Sequence, residues 1–334
     1  MTRFIRLIAA VLLSIAAPNI VYAKCDPEEI IFRFSHTNGI RLHPRGLTVE
    51  LLQIRVNAEL NEEACMEVYP NSILYRDTHV LKAVQNGDIQ FAAPPTGVFE
   101  ELAPSLRIMN LPYLFKNIDA FLEFEDDTFK QRVAEELAVH DLKFLAFWHN
   151  GFRQIISKES IANPNDLRGK RVLSSNSLVN QFAFELIGAQ VETSSVLEVP
   201  SVIAQSEVFA HENTWSNIYD MEIDRVANQV LETNHSILEY VLVTKKSWYD
   251  TLPAKTRGKL EDILAQVTRE RNKTIFHLNN VARRKLLEAQ TVEIADQSEE
   301  RHRWAFEMQP VRSMLSDEIP IELMMKINEI NARN

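Results

Sequence analysis

Met66-Glu67-Val68-Tyr69-Pro70-Asn71, followed by Asp77-Thr78-His79-Val80-Leu81-Lys82-Ala83-Val84-Gln85-Asn86-Gly87-Asp88-Ile89-Gln90-Phe91-Ala92, decides the fold. Met66 to Tyr69 reads as a strand ended by Pro70-Asn71. Asp77 caps a helix running through Val84, Gly87 stops it, and Ile89 to Ala92 is the next strand. Strands that alternate with helices at this spacing predict a parallel, doubly wound sheet. Upstream, Ile30 to Phe34 is a buried strand, and Leu47, Leu51, Ile54 and Ala58 recur at helical spacing behind Pro44. Downstream the pattern repeats: a strand over Leu142–Trp148, a turn at Pro164-Asn165-Asp166, and a strand over Arg171–Ser174. A helix then runs to Ile187 and stops at Gly188, with further strands at Glu207–His211 and Ile237–Val243. From Pro253 the chain turns helical, with Leu260, Ile263, Leu264 and Val267 on one face. The pattern is interrupted by polar residues at Arg269–Lys273 and resumes through Leu287, predicting a helix much longer than the usual 11 or so residues.

The N-terminus predicts export. Arg3 and Arg6 precede an apolar run from Leu7 to Ala17, and Val21-Tyr22-Ala23 supplies the small residues a signal peptidase reads. The run falls short of the roughly 20 residues that span a bilayer, so residues 1–23 read as a signal peptide cleaved after Ala23. The rest is long enough for two lobes. The net charge of −10, made more negative by loss of Arg3 and Arg6, excludes the Lys/Arg-rich surface that nucleic-acid binding needs. Both cysteines, Cys25 and Cys65, lie early in the mature chain. In an oxidising compartment they pair if the strands following them are neighbours.

Motifs for catalysis are missing. There is no G-x-G-x-x-G, P-loop or G-x-S-x-G, and eight glycines leave little for phosphate-cradling loops. The nine histidines are scattered without H-E-x-x-H or another tight metal pair, so no metal and no cofactor are expected. Polar groups instead follow strands, among them Arg153, Asn213 and His235, where open α/β sheets take their ligands.

Several stretches then match a pattern in order and spacing. They are Val68-Tyr69-Pro70-Asn71-Ser72 with Leu74-Tyr75-Arg76-Asp77, and Ala83-Val84-Gln85-Asn86-Gly87-Asp88-Ile89-Gln90. Leu111-Pro112-Tyr113-Leu114-Phe115, Asn150-Gly151-Phe152-Arg153-Gln154 and Asn165-Asp166-Leu167-Arg168-Gly169 follow. Glu212-Asn213 with Ser216-Asn217, and Thr233-Asn234-His235, complete the set. Here the chain resembles the substrate-binding proteins of TRAP (tripartite ATP-independent periplasmic) transporters, most closely the dicarboxylate-binding branch. The resemblance implies a periplasmic-binding-protein-like α/β fold: two lobes, a hinge, and a long helix across both. The expected division is 24–149 with about 236–265 as the first lobe and 150–235 as the second. Residues 253–334 form the bridging helix and C-terminal helices.

The resemblance also implies a carboxylate ligand held by arginine, whose planar fork suits a carboxylate. Arg153 matches a carboxylate-contacting arginine of the family and Asn213 its ligand-contacting asparagine. Arg45 sits where the dicarboxylate branch carries a cation. At the family's selectivity arginine, an ungapped reading places Leu173. Arg171, two residues earlier and on the same strand face, replaces that cation if a short gap is allowed. Phe209 and Ala210 stand where the family has Asp and Gly before Glu-Asn. Trp215 either packs on an apolar part of the ligand or belongs to the core. His36 and His235 are secondary contacts facing the cleft, with buried core positions as the competing reading.

The expected function is that of a periplasmic receptor delivering a small organic acid to integral membrane transport subunits. It would act as a monomer, with no catalysis and no nucleic acid. A receptor for a sensor kinase is the alternative, and an enzyme the weaker one.

Overall fold

The computed structural model describes residues 25–39, 43–194, 196–205, 207–295 and 300–334. The proposed signal peptide lies outside them. Strands alternate with helices as the 66–92 stretch predicts. They are β1 (Ile30–Ser35), β2 (Ala64–Tyr69), β3 (Phe91–Ala92), β4 (Leu142–Ser157), β5 (Arg171–Ser174), β6 (Gln190–Thr193), β7 (Val208–Thr214), β8 (Gln229–Leu231), β9 (Ile237–Lys245) and β10 (Glu293–Ala295). Their order is β2-β1-β3-β9-β4-β7-β5-β6, with β8 on β4 and β10 on β8.

The sheet is mixed rather than all parallel. β1 runs parallel to β2 and β3, and β5 parallel to β6 and β7. β9 is antiparallel to β3 and β4, and β4 is antiparallel to β7. The cause is connectivity: β4 carries the chain from the side of β1, β2 and β3 to the side of β5, β6 and β7, and β9 carries it back, so these crossing strands oppose each other. β4 pairs with β9 as far as Phe152 and with β7 from Arg153 onward, making one 16-residue strand shared by both lobes. At the crossing, Gly151 has φ +146°, and a Cβ there would lie 2.7 Å from Asn279 Nδ2. Only glycine suits that conformation and that approach.

Three details depart from the sequence reading. The helix Pro44–Glu59 buries Val49, Leu52 and Val56, while Ile54 is exposed. Both sets have helical spacing, so periodicity alone cannot choose the face. The helix expected from Asp77 through Val84 extends to Asn86, closed by Gly87 at φ 86°. The long helix is two, Ala254–Asn272 and Ile275–Glu288. Asn272 turns inward at the joint, donating from Nδ2 to Phe147 O (3.0 Å) and accepting from His149 N (3.1 Å). Satisfying β4 in this way ends the first helix within the polar interruption. The first of the pair packs on helix Pro44–Glu59 and the second on helix Trp215–Asp220, so the pair still spans both lobes.

Cys25 and Cys65 are bridged, with Cα atoms 5.6 Å apart, tying the entry of β1 to β2. In the chain-entropy account this 40-residue separation is worth about 4 kcal/mol. Reduction is therefore expected to lower the unfolding temperature. Unfolded, non-reduced protein should label no thiols, and two labelled thiols would exclude the bridge.

Candidate functional site

A cavity of about 820 Å³, including its open mouth, lies between the lobes at the carboxyl ends of β1, β5 and β7. This is the size and place at which α/β sheets receive small ligands. Its cations among the described residues are Arg45, Arg76 and Arg153, and its acids Asp77 and Glu212.

Arg45 occupies the first turn of helix Pro44–Glu59, whose start is fixed by Pro44 and by His43 Nδ1 accepting from Arg45 N (3.1 Å). Its buried guanidinium is already engaged. Nε donates to Asn38 Oδ1 (2.8 Å), and Nη1 to Asp77 Oδ1 (3.1 Å) and Ala93 O (2.7 Å), while Nη2 reaches Thr37. The group lies 4.3 Å from the Tyr240 ring centroid.

Arg153 is different. It leaves the crossing on β4, and Nη1 donates to Glu212 Oε2 at 3.0 Å, yet its Nε is buried with no partner. Thr214 faces Arg153 across the ladder, so Glu212, two residues away, lies diagonally on the same face. Glu212 also accepts from Ser175 N (2.7 Å) and Ser174 Oγ (3.2 Å). Burial pushes its carboxyl up, but Arg153, His235 and the Ser175 amide outweigh that and hold it well below the usual range. Arg76 reaches across the mouth to Glu198 at 3.0 Å, both groups about half exposed. Each cation of the cavity thus has an acidic partner, and the unfilled donor belongs to Arg153.

Asn213 lines the cavity within a polar chain that crosses the lobes. His43 Nε2 is 3.3 Å from Tyr240 Oη, which accepts from Asn150 Nδ2 (3.0 Å); that nitrogen also donates to Asn217 Oδ1 (3.0 Å). Asn217 Nδ2 donates to Asn213 Oδ1 (2.7 Å), and Asn213 Nδ2 meets His211 Nε2 at 3.1 Å. Connected networks of this kind fix side-chain orientation in a buried site.

The remaining expected contacts lie elsewhere. Arg171 sits at the entry of β5, three residues before the cavity-lining Ser174, with Nε donating to Glu192 Oε1 at 2.6 Å. It does not line the cavity; at about 3.3 Å per residue its Cα lies some 10 Å upstream of Ser174. Leu173 is buried in the second-lobe core with Ile156, Val208 and Trp215. Trp215 itself packs there, donating to Glu232 Oε1 (3.1 Å) beneath Arg283. His36 is buried behind the wall, and desolvation together with Arg45 lowers its pKa to about 3. His235 is buried beside Glu212, Nε2 to Oε2 3.6 Å, with Nδ1 2.7 Å from Thr233 Oγ1. It backs Glu212 rather than lining the cavity.

The sequence reading did not single out Arg76, Asp77, Glu212, Tyr240 or Asn217 as site residues. It also passed over Ser174-Ser175-Asn176-Ser177, a run of short polar side chains leaving β5, which was the available signal. Apart from the bridged cysteines, one trio of metal-type donors meets among the described residues: Glu125, His149 and Glu239. It lies off this cavity. Burial pushes Glu239 up to about 8, and burial together with the neighbouring Glu239 pushes Glu125 well above its usual value.

Two lobes joined by shared strands, around a polar cavity with a buried arginine, define a solute receptor. The chain belongs to the bacterial extracellular solute-binding protein family 7 (DctP), which it matches over residues 34–317. It is 38% identical to the C4-dicarboxylate-binding periplasmic protein DctP of Vibrio cholerae, over 95% of this chain and 96% of that one. Its identity to the Shewanella loihica protein of the same name is 30%, over 89% and 88%. Among solved structures it superposes on a TRAP periplasmic solute-binding protein of Shewanella oneidensis with bound succinate. The TM-score is 0.87 and the identity 27%, covering 91% of this chain and 99% of that one. A Pseudomonas aeruginosa counterpart with bound L-malate gives TM-score 0.81 and 30% identity, covering 85% and 99%. The chain is thus a TRAP-type extracytoplasmic solute receptor, not an enzyme.

Proposed function

We propose that the ligand is a small organic acid, seated by one carboxylate on Arg153 and oriented by Asn213, Asn217 and the Ser174–Ser177 turn. The observation that carries this reading is the Arg153 Nε, buried at the cavity without a protein acceptor. A buried donor left unpaired is costly, and a carboxylate oxygen removes that cost. Arg45 and Arg76 are the nearest cations for a second carboxylate, but Asp77 and Glu198 already balance them. Hydroxyls and amides make up much of the remaining polar lining, which favours a hydroxylated acid such as L-malate over plain succinate. The relatives named for C4-dicarboxylates support the acid class.

In this reading the protein acts outside the cytoplasm after removal of residues 1–23, as a monomer, and passes its ligand to membrane transport subunits. The lobes divide where the chain crosses on β4 near Gly151 and returns on β9. Arg171, Leu173, Trp215, His36 and His235 lie outside the lining and do not touch the ligand in this reading. A thermal-shift screen with L-malate, succinate and D-glucuronate tests the acid reading, with neutral sugars as controls. Ligand at about 100 times its Kd adds about 2.7 kcal/mol to stability, a shift of several degrees. No shift with any acid, or an equal shift with neutral sugars, overturns it.

A further inference from the structure

Glu100 follows the 3-10 turn Thr96–Phe99 of the first lobe and is 2% exposed. Its carboxylate accepts from Ser177 Oγ at 2.5 Å and Leu178 N at 2.8 Å in the second lobe, and from Asn110 Nδ2 at 2.9 Å in its own. Ser177 is the N-cap of helix Leu178–Leu186, so an acid from one lobe completes a helix start in the other. Beside this contact the lobes are in close apposition. A Cβ on Gly97 would lie 2.6 Å from Asn176 O and 2.8 Å from Ser177 Cβ, although the backbone of Gly97 is not in the left-handed region. Gly97, Asn176 and Ser177 all line the cavity.

We propose that Glu100 is a positioning residue for ligand capture: by bonding Ser177 and Leu178 across the lobe boundary it holds the Ser174–Ser177 turn against Gly97, in the place where that turn meets the ligand. This rests on the receptor reading and assigns to it a specific latch. Burial pushes the Glu100 carboxyl up to about 7, partly opposed by Ser177, the Leu178 and Val179 amides and the field of Arg107. Arg107 is the charged group acting from the neighbouring segment Pro104–Asn110 and is itself paired with Glu318, while helix Leu178–Leu186 presents a hydroxyl and amides. A carboxyl released to solvent titrates near 4.3. Engagement of the latch therefore takes up a proton between these values, and is weakened as pH rises through about 7.

Two measurements test this. Hydrogen exchange on ligand-free protein should show the Leu178 and Val179 amides exchanging about 10-fold faster or more in Glu100→Ala, with β4 and β9 unchanged. Titration calorimetry with L-malate and with succinate, between about pH 5.5 and 8.5, should show wild-type affinity falling with rising pH. Glu100→Gln should retain the acid-side affinity and lose that slope. Gly97→Ala should weaken both probes by about 10-fold or more, because its methyl group meets backbone. Unchanged exchange in Glu100→Ala overturns the latch, as does wild-type affinity in Gly97→Ala or a persistent slope in Glu100→Gln. If wild type binds neither probe, the choice of a C4 acid falls by itself and the exchange result still decides the latch.

Discussion

Arg153→Ala is expected to lower affinity for the bound acid by about 30-fold or more, since leaving a desolvated ligand charge without its cation costs on the order of 2–5 kcal/mol. The structure adds a second consequence. Arg153 also neutralises Glu212, whose side chain is fully buried, so the alanine variant should unfold at lower temperature as well. A drop in affinity from that variant alone would thus mix two effects. Arg153→Lys separates them: an ammonium still pairs with Glu212, but it offers no Nε–H and no planar fork. The lysine variant should keep most of the ligand-free stability and still bind weakly. Titration calorimetry with the acid found by screening, paired with thermal unfolding without ligand, checks both variants. Wild-type affinity in Arg153→Ala would remove the carboxylate clamp.

How much of this was legible in the sequence differs between fold and site. The βαβ order was readable because Gly87, Pro70 and the apolar runs are local signals, and helices and strands of a doubly wound lobe obey local rules. The antiparallel crossing was not, because nothing in Leu142–Ser157 says that one strand serves two lobes until its partners on β7 and β9 are known. Arg153, Arg45 and Asn213 were reached through resemblance, and the structure gathers all three at one cavity. Arg171 and Leu173 lie outside the cavity lining for a geometric reason. Strand alternation tells which face a side chain shares, but not how far along the strand the cavity begins, and here it begins at Ser174. Glu212 and Glu100 were invisible for another reason. An acid in an acidic chain carries no mark of burial, and their roles arise from partners 59 and 77 residues away.

Glu212→Ala is expected to be the most destabilising change at the site. The carboxylate is enclosed by Arg153 Nη1, Ser174 Oγ and Ser175 N, with His235 Nε2 at 3.6 Å, and both members of the ion pair are almost fully buried. Removing one partner leaves the guanidinium charged, almost fully buried and without its carboxylate, a loss of about 3–5 kcal/mol. For a chain of this size that corresponds to a fall in unfolding temperature on the order of 10 °C. The pH dependence has a definite sign. Glu212 is held below its unfolded value, so its contribution is complete above roughly pH 4.3 and is lost as pH falls toward its low folded value. Glu212→Gln keeps the shape and one acceptor but removes the charge. It should be less stable than wild type at neutral pH, and the gap should narrow on acidification because only the wild type loses a paired carboxylate. Thermal unfolding of wild type and Glu212→Gln from neutral pH down to about pH 3 measures this. A gap that stays constant or widens toward acid would mean that the Arg153–Glu212 charge pair does not stabilise the receptor.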